Sequence, residues 1–378
     1  MLYYLNEWME LFSPLRVFRY ITFRAMGGAF TAFVLTLLIG PSIIRMLTAL
    51  KIKQQVRVTD SADLYALHGK KKNTPTMGGV MIVLAVLVSS LLWAIPSNGY
   101  VLLTLATMLV LGGTGFMDDY LKVSRKNSRG LPGRYKLLIQ ITWAVVVGII
   151  LFAWPASRDY AGQLMVPFFK EPVITSMSLG GALLFFALVI AGASNAVNLT
   201  DGLDGLAIGC SNSAAVAYLA IAYVAGNSVA ASYLQVPFIP GTGELTVVCA
   251  CLFGAGLGFL WFNCHPAKVF MGDTGSLAIG GTIAMVAICT KQELLLIFVG
   301  GVFVLEAASV ILQVVSFKMK KRRIFRCAPL HHHYEFLEKD RAKLENRDLE
   351  VVETMITTRF WILSILFAAL GLATLKLR

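Results

Sequence analysis

The stretch that decides the fold is LLIQITWAVVVGIILFAW, residues 137–154, which contains no charged side chain. An α-helix needs about 20 predominantly apolar residues to cross the hydrocarbon core of a membrane. Nine further runs of this kind predict an all-α polytopic membrane protein with about ten transmembrane helices, built as a single domain over residues 1–378. The predicted spans are 21–44, 78–95, 101–117, 137–154, 181–199, 206–225, 245–262, 276–290, 294–317 and 360–375.

Composition excludes a soluble protein. Charged residues make up 14% of the 378-residue chain, against about 25% in an average soluble domain. The net charge of +12 would indicate nucleic acid in a soluble protein, but here most of the chain must face lipid, so no nucleic-acid partner is predicted. Six scattered cysteines without a CxxC pair are interpreted as apolar packing residues.

Lysine and arginine predict the direction of the spans. They concentrate in the loops between spans one and two and between spans three and four, and such a bias marks cytoplasmic loops. Both termini are therefore predicted outside, on the periplasmic side, and the active-site loops are predicted to be cytoplasmic.

Two adjacent acids, Asp118 and Asp119, end the third predicted span in GGTGFMDDY. A polar stop at the interface is the plain interpretation, but carboxylates are unfavourable at the C-terminus of a helix. Function is therefore favoured, as ligands of a divalent cation or as a base.

Two glycine-containing loops carry more acids. The turn between spans five and six contains Asp201 and Asp204. A capping role would explain one of these acids, so the presence of a second favours contact with a metal or a substrate. Asp273 and Ser276 precede an apolar run, where capping would account for one of them. A glycine-flanked helix N-terminus also suits phosphate.

Cations lie in the same set of loops. Consecutive His331, His332 and His333 point in different directions, so one or two of them contacting a phosphate is favoured over three binding one metal. The basic run before them also suits anionic lipid headgroups. The triplet Lys70–Lys72 is a topology signal that would also suit anion binding. Glu306, a lone acid inside a span, is predicted to face the protein interior.

Carboxylates with Lys and His at one interface indicate Mg²⁺-dependent phosphoryl transfer between a lipid phosphate and a nucleotide-activated group. A transporter would place its polar groups near the bilayer midplane on broken helices. A scaffold would not need five acids on one face.

Five runs carry a resemblance to a known family: TPTMGG (74–79), GFMDDY (115–120), NLTDGLDGLA (198–207), FMGDTGS (270–276) and PLHHHYE (329–335). The chain resembles the phospho-N-acetylmuramoyl-pentapeptide transferases, within the polyprenyl-phosphate N-acetylhexosamine-1-phosphate transferase superfamily. The resemblance implies a homodimer in the bacterial inner membrane. It implies transfer of phospho-MurNAc-pentapeptide from UDP-MurNAc-pentapeptide to undecaprenyl phosphate with Mg²⁺, giving lipid I and UMP.

The resemblance also implies site residues. The catalytic set is Asp118, Asp119, Asp273, His332 and His333, and the first three would bind the metal. The implied substrate-binding residues are Lys71, Thr76, Lys122, Lys136, Asn198, Asp201, Asp204, Asn263, Ser276 and His331. The alternatives are a sister transferase that moves GlcNAc-1-phosphate and a lipid-linked transporter. The segment Lys339 to Thr358 has no assigned role.

Overall fold

The structure, a computed structural model, describes residues 1–10, 12–50, 74–125 and 130–377. Over these ranges the regular elements are helices, and an isolated antiparallel bridge joins Leu164 to Ile174. The α-helices are α1 (Ile21–Ala49), α2 (Gly79–Trp93), α3 (Gly99–Ser124), α4 (Gly133–Ala153), α5 (Pro155–Ala161), α6 (Leu179–Thr200), α7 (Leu206–Ala225), α8 (Ser228–Leu234), α9 (Leu245–Asn263), α10 (Gly272–Cys289), α11 (Leu296–Val299), α12 (Gly301–Lys320), α13 (Leu330–Leu344) and α14 (Glu350–Thr374). Short 3₁₀ helices cover Leu2–Trp8, Ser13–Arg19 and Thr242–Glu244.

The predicted all-α membrane fold is confirmed. Within the described ranges, nine helices are long and apolar enough to cross a membrane, and the shorter apolar α2 is the tenth candidate. The ninth predicted span differs, because Gly300 separates α11 from α12. The adjacent Gly301 leaves no room for a side chain, since its Cβ would lie 2.5 Å from Cγ of Phe367 on α14.

Several predicted boundaries are wrong at the polar ends. Helix α3 continues to Ser124, so Asp118 and Asp119 lie within it and not at its C-terminus. The helix tolerates them because Lys122, one turn later, places its ammonium 2.5 Å from Oδ2 of Asp118. Helix α10 begins at Gly272 and not at Ser276, and α14 begins at Glu350 and not at Phe360.

Helix α10 forms the centre of the bundle. Every residue from Thr274 to Cys289 is buried, with α3 and α6 as its main neighbours. Small residues permit these close approaches: a Cβ at Gly115 of α3 would lie 2.1 Å from the carbonyl oxygen of Asp273, and one at Gly280 would lie 2.6 Å from Cα of Ser194. This contact brings the start of α10 against the acidic end of α3.

The two ends of the bundle differ. At one end, called the site end, lie Asp118 and Asp273. At the other, Arg24 forms a buried ion pair with Glu244 at 2.6 Å, and the ammonium of Met1 donates to the carbonyls of Leu91 and Leu92. Both termini lie away from the site end. Which end faces the cytoplasm stays a prediction.

Candidate active site

Three carboxylates from two helices meet at the site end. Oxygen atoms of Asp118 and Asp119 on α3 and of Asp273 on α10 all lie within 4.8 Å of one another. Asp118 and Asp119 are 1% and 2% exposed. The structure thus joins acids that stand more than 150 positions apart in the chain.

Two lysines neutralise much of this charge. The ammonium of Lys136 lies 2.9 Å from Oδ2 of Asp118 and 2.5 Å from Oδ2 of Asp273. The ammonium of Lys122 lies 2.5 Å from Asp118, 3.3 Å from Asp273 and 3.6 Å from Asp119. Three carboxylates and two ammonium groups leave one net negative charge, so the cluster can accept a further cation.

Backbone groups orient the two adjacent acids differently. Oδ2 of Asp119 accepts the N–H of Thr274 at 3.0 Å and its hydroxyl at 2.9 Å. Oδ1 of Asp118 accepts the N–H of Leu131 at 2.6 Å. A Cβ at Gly130 would lie 2.3 Å from the same oxygen, so glycine is needed for this approach.

The cluster has the ligand chemistry of a magnesium site. Mg²⁺ prefers carboxylate oxygens at about 2.0–2.1 Å in octahedral geometry, so opposite ligands stand about 4.2 Å apart. One oxygen of each carboxylate lies within 4.8 Å of the other two, so the three side chains can converge on one ion. Oδ2 of Asp118 lies 2.5 Å from the Lys122 ammonium and 2.9 Å from the Lys136 ammonium, so a cation bound to this oxygen would replace one of these contacts. The residues therefore fit Mg²⁺.

The segment before α2 lies against the start of α10. Its backbone pairs with that of Phe270 and Met271: Phe270 donates to Pro75 at 2.8 Å, and Gly79 donates to Met271 at 2.9 Å. A Cβ at Gly272 would lie 2.9 Å from Oγ1 of Thr76, which places Thr76 beside the cluster. The predicted Lys71 lies outside the described residues.

Asn198 and Ser276 form the next part of the site. Nδ2 of Asn198 donates to Oγ of Ser276 at 3.0 Å, and the Ser276 hydroxyl donates to the carbonyl of Gly272 at 3.0 Å. The N-cap of α10 is Met271, without a side-chain hydrogen bond. The capping alternative for Asp273 and Ser276 is therefore wrong.

Asp201 ends α6 beside the cluster. Burial raises the pKa of Asp201 to about 8, and the negative charges of Asp273 and Asp119 act in the same direction. The N–H of Gly272 donates to this carboxylate and opposes the shift. Asp201 is therefore mostly protonated at neutral pH when no further cation is present.

Asp204 belongs to a second group of residues. Its Oδ2 lies 3.0 Å from Nδ1 of His265 and accepts the N–H of Ala267 at 3.1 Å. Asn263 accepts the N–H of Gly205 at 3.1 Å and donates to the carbonyl of Val269 at 2.9 Å. The turn after α6 is thereby joined to the segment that precedes α10.

The three histidines point in three directions, as the sequence predicted. His331 is buried, and its Nδ1 lies 3.2 Å from Oε2 of Glu306. Nδ1 of His332 lies 2.9 Å from Oε2 of Glu335, and Nδ1 of His333 accepts the N–H of Arg326. Burial, and then the charge of Arg326, lower the pKa of His333. The catalytic roles of His332 and His333 stay predictions.

Glu306 faces the protein interior, which confirms the prediction for a lone acid in a span. Both of its oxygens also lie within 3.2–3.4 Å of the N–H of His331. Glu306 thus fixes the start of α13.

Sequence reasoning missed residues of α14. Glu353, Thr357 and Trp361 hydrogen-bond to the backbone of Asp204 and Gly205, although Glu353 and Thr357 belong to the segment without an assigned role. Their spacing of four residues was the available signal, because it places all three on one helix face.

Membrane-length helices with a buried cluster of carboxylates and lysines at one end define a polytopic membrane protein with a candidate cation site. Residues 101–291 match the model of glycosyl transferase family 4, and residues 71–83 match signature 1 of phospho-N-acetylmuramoyl-pentapeptide-transferase.

Curated relatives named phospho-N-acetylmuramoyl-pentapeptide-transferase align over nearly the whole chain. The protein of Methylacidiphilum infernorum is 50% identical over 100% of both chains, and that of Desulfotalea psychrophila is 50% identical over 97% of both. The Geobacter protein is 47% identical over 100% of this chain and 99% of its own. The chain belongs to the phospho-N-acetylmuramoyl-pentapeptide transferase family, and it is a multi-pass protein of the bacterial inner membrane.

Proposed function

We propose that the protein transfers phospho-MurNAc-pentapeptide from UDP-MurNAc-pentapeptide to undecaprenyl phosphate, giving lipid I and UMP. The observation that carries this is the placement of Lys122 and Lys136 on the Asp118, Asp119 and Asp273 carboxylates at one end of the bundle. Both substrates are anions, so the reaction needs positive charge near the depth at which a lipid phosphate lies. The cluster alone has one net negative charge, and a bound Mg²⁺ would make it net positive.

Asp273, with Asp118 and Asp119, would hold Mg²⁺. When bound, the ion would supply Lewis-acid stabilisation of charge on the phosphate oxygens. Lys122 and Lys136 neutralise part of the negative charge of the three carboxylates and orient them. This role is the same in a one-step and in a two-step reaction.

The proposed reaction is a direct displacement. An oxygen of undecaprenyl phosphate attacks the phosphorus attached to the sugar, the bond from that phosphorus to UMP breaks, and UMP leaves with the electron pair. Asp118 accepts the residual proton of the lipid phosphate, and Asp119 supports it. The alternative is a two-step route in which an Asp becomes a phospho-enzyme. Quenched flow with labelled donor separates the two, because a kinetically competent labelled protein would contradict direct attack.

An apolar groove supports the lipid acceptor. A cavity of about 400 Å³ lies between α6 and α12. Its lining is nearly all apolar and includes Leu188, Ala196, Phe303 and Ile311. We assign the polyprenyl chain to this groove, since a flexible hydrocarbon gains most from an open apolar surface of membrane depth.

The donor would occupy the region around the turn after α6. Asn198, Ser276 and Thr76 border the carboxylates, and Asp204, Asn263 and His331 lie along the same turn or against it. Thr76 and Asn198 are partly exposed and offer hydrogen-bonding groups to a nucleotide diphosphate sugar. Ser276, Asp204, Asn263 and His331 are buried and support the turn from behind.

Orientation and assembly complete the proposal. The site end faces the cytoplasm, as the Lys and Arg distribution indicates, and the protein forms a homodimer, as the family resemblance implies. Labelling of cysteines introduced at Arg125 and Asp159 tests the orientation. Native mass spectrometry from nanodiscs tests the dimer.

The decisive experiment measures UMP release in lipid nanodiscs with undecaprenyl phosphate, with and without Mg²⁺, using UDP-MurNAc-pentapeptide and UDP-GlcNAc in parallel. We expect release only with the first donor and only with Mg²⁺. Release with UDP-GlcNAc alone would favour the sister transferase, and no release with either donor would overturn the proposal.

A further inference from the structure

The turn between α6 and α7 has every backbone polar group of two consecutive residues bound by a side chain of another element. The N–H of Asp204 donates to Oε1 of Glu353 at 3.0 Å, and its carbonyl accepts from the hydroxyl of Thr357 at 3.3 Å. The N–H of Gly205 donates to Oδ1 of Asn263, and its carbonyl accepts from Nε1 of Trp361 at 3.1 Å. A turn held in this way has little freedom to change conformation.

Three of these four partners belong to α14. Glu353, Thr357 and Trp361 stand four residues apart, and this spacing places them on one face of the helix. Glu353 and Thr357 are each 5% exposed. Further along the same face, the Ser364 hydroxyl donates to the carbonyl of Cys210. A polar stripe on α14 thus binds the backbone of the turn and of α7.

Glu353 also connects the backbone of Asp204 with its side chain. Oε2 of Glu353 lies 3.7 Å from Nδ1 of His265, and that nitrogen lies 3.0 Å from Oδ2 of Asp204. The N–H of Ala267 donates to the same oxygen. Glu353 therefore fixes the backbone of the turn directly, and it helps to orient the Asp204 carboxylate through His265.

Two glycines let the indole of Trp361 reach the turn. Gly205 has φ of 74°, the left-handed region that favours glycine. A Cβ at Gly209 would lie 2.0 Å from Nε1 of Trp361, so any side chain there would displace the indole.

We propose that α14 is a positioning element for the donor site and that Glu353 is its central positioning residue. The inference rests on the proposed function, in which the turn binds a nucleotide diphosphate sugar. Apolar packing alone would hold α14 against α7, whereas the polar stripe fixes the turn in one conformation before the donor arrives. Preorganisation of this kind raises affinity by lowering the entropy cost of binding.

The test compares Glu353→Ala, Thr357→Val and Trp361→Phe in nanodiscs. Each variant is expected to raise the KM of UDP-MurNAc-pentapeptide about three- to tenfold, the effect of about one lost hydrogen bond. The kcat and the KM of undecaprenyl phosphate stay within about twofold, because only donor binding is disturbed. Glu353→Gln keeps the acceptor oxygen and restores most of the donor KM.

Matched controls lie outside the polar stripe. Thr358 is exposed, and its hydroxyl donates to the carbonyl of Thr354 within α14. Trp261 is 67% exposed. Thr358→Val and Trp261→Phe are therefore expected to leave the donor KM unchanged.

A purely structural role gives a different pattern. Unchanged donor KM in all three variants would overturn the inference, and so would equal rises in both KM values together with a lower melting temperature. If the wild-type protein releases no UMP, the proposed function fails. Calorimetric Kd values for the donor then still decide the inference, because they need no turnover.

Discussion

Nδ1 of His331 lies 3.2 Å from Oε2 of Glu306, and both side chains are completely buried. Neither ring nitrogen of His331 has a hydrogen bond among the described residues, whereas its backbone N–H faces both oxygens of Glu306. The Glu306 carboxylate of α12 thus anchors the start of α13. It does so in a region where an acid without a partner would be costly.

Glu306→Leu is expected to lower the melting temperature, because it leaves the buried N–H of His331 without its acceptor. The loss is about 1–3 kcal/mol for an unsatisfied buried group. Glu306→Gln retains an acceptor and loses less. Differential scanning fluorimetry in detergent measures both variants, with Glu345→Leu at an exposed position as control. Equal melting temperatures for Glu306→Leu and wild type would contradict the assignment.

Asp273→Asn is expected to abolish turnover. The variant removes one of the three clustered carboxylates and leaves Lys122 and Lys136 with one partner fewer. A loss of at least about 100-fold in kcat is expected for a group that organises charge at the reacting atoms, together with weaker dependence of the remaining activity on Mg²⁺. UMP release over a Mg²⁺ titration measures both effects.

The control for this variant is Asp159→Asn, since Asp159 is exposed on α5, away from the cluster. It keeps normal activity and Mg²⁺ dependence. Near-normal kcat for Asp273→Asn in nanodiscs would refute the metal role.

Lys136→Met is expected to lower kcat about 100-fold, because one ammonium contacts both Asp118 and Asp273. Lys136→Arg keeps the charge but changes its shape, so it recovers only part of the activity. Steady-state UMP release checks both, beside Lys170→Met at an exposed position. Full activity of Lys136→Met would show that Lys122 alone neutralises the cluster.

The acids of the cluster could be predicted from the sequence, whereas the contacts of α14 could not. Long apolar runs predicted the spans, and the acids in glycine-containing loops singled out the carboxylates that meet at the site end. Lys122 and Lys136 were expected as site residues only from the family resemblance. The meeting of Asp118 with Asp273 depends on the contact at Gly115 between α3 and α10, which no local pattern encodes. The role of Glu353 and Thr357 was missed because they look like the polar end of a loop, whereas α14 begins at Glu350 and buries this polar face against the turn.

The charge of Asp201 predicts how stability depends on pH. The pKa of Asp201 is raised to about 8 by burial and by Asp273 and Asp119, against about 3.9 in an unfolded chain. Between these values the folded protein binds the extra proton, so this group makes stability fall as pH rises, and the effect is complete above about pH 8. Asp201→Asn removes this contribution to the pH dependence of stability.

The melting temperature of Asp201→Asn, relative to wild type, is therefore expected to be higher at pH 8.5 than at pH 5.5. Chelator in the buffer keeps divalent cations from screening the carboxylates. Asp159→Asn serves as the control, with a difference from wild type that does not change with pH. A pH-independent difference for Asp201→Asn would contradict the raised pKa.

Gly202 tests the contact between the donor turn and α13. A Cβ at Gly202 would lie 2.1 Å from Nε2 of His331, so Gly202→Ala must displace the buried imidazole and lower the melting temperature. His331→Ala opens the space, and the double variant is then no less stable than His331→Ala alone. Gly180→Ala is the matched control, because nothing lies within 4 Å of its Cβ position. Additive losses in the double variant would mean that Gly202 and His331 are independent, and the turn would then not rest on α13.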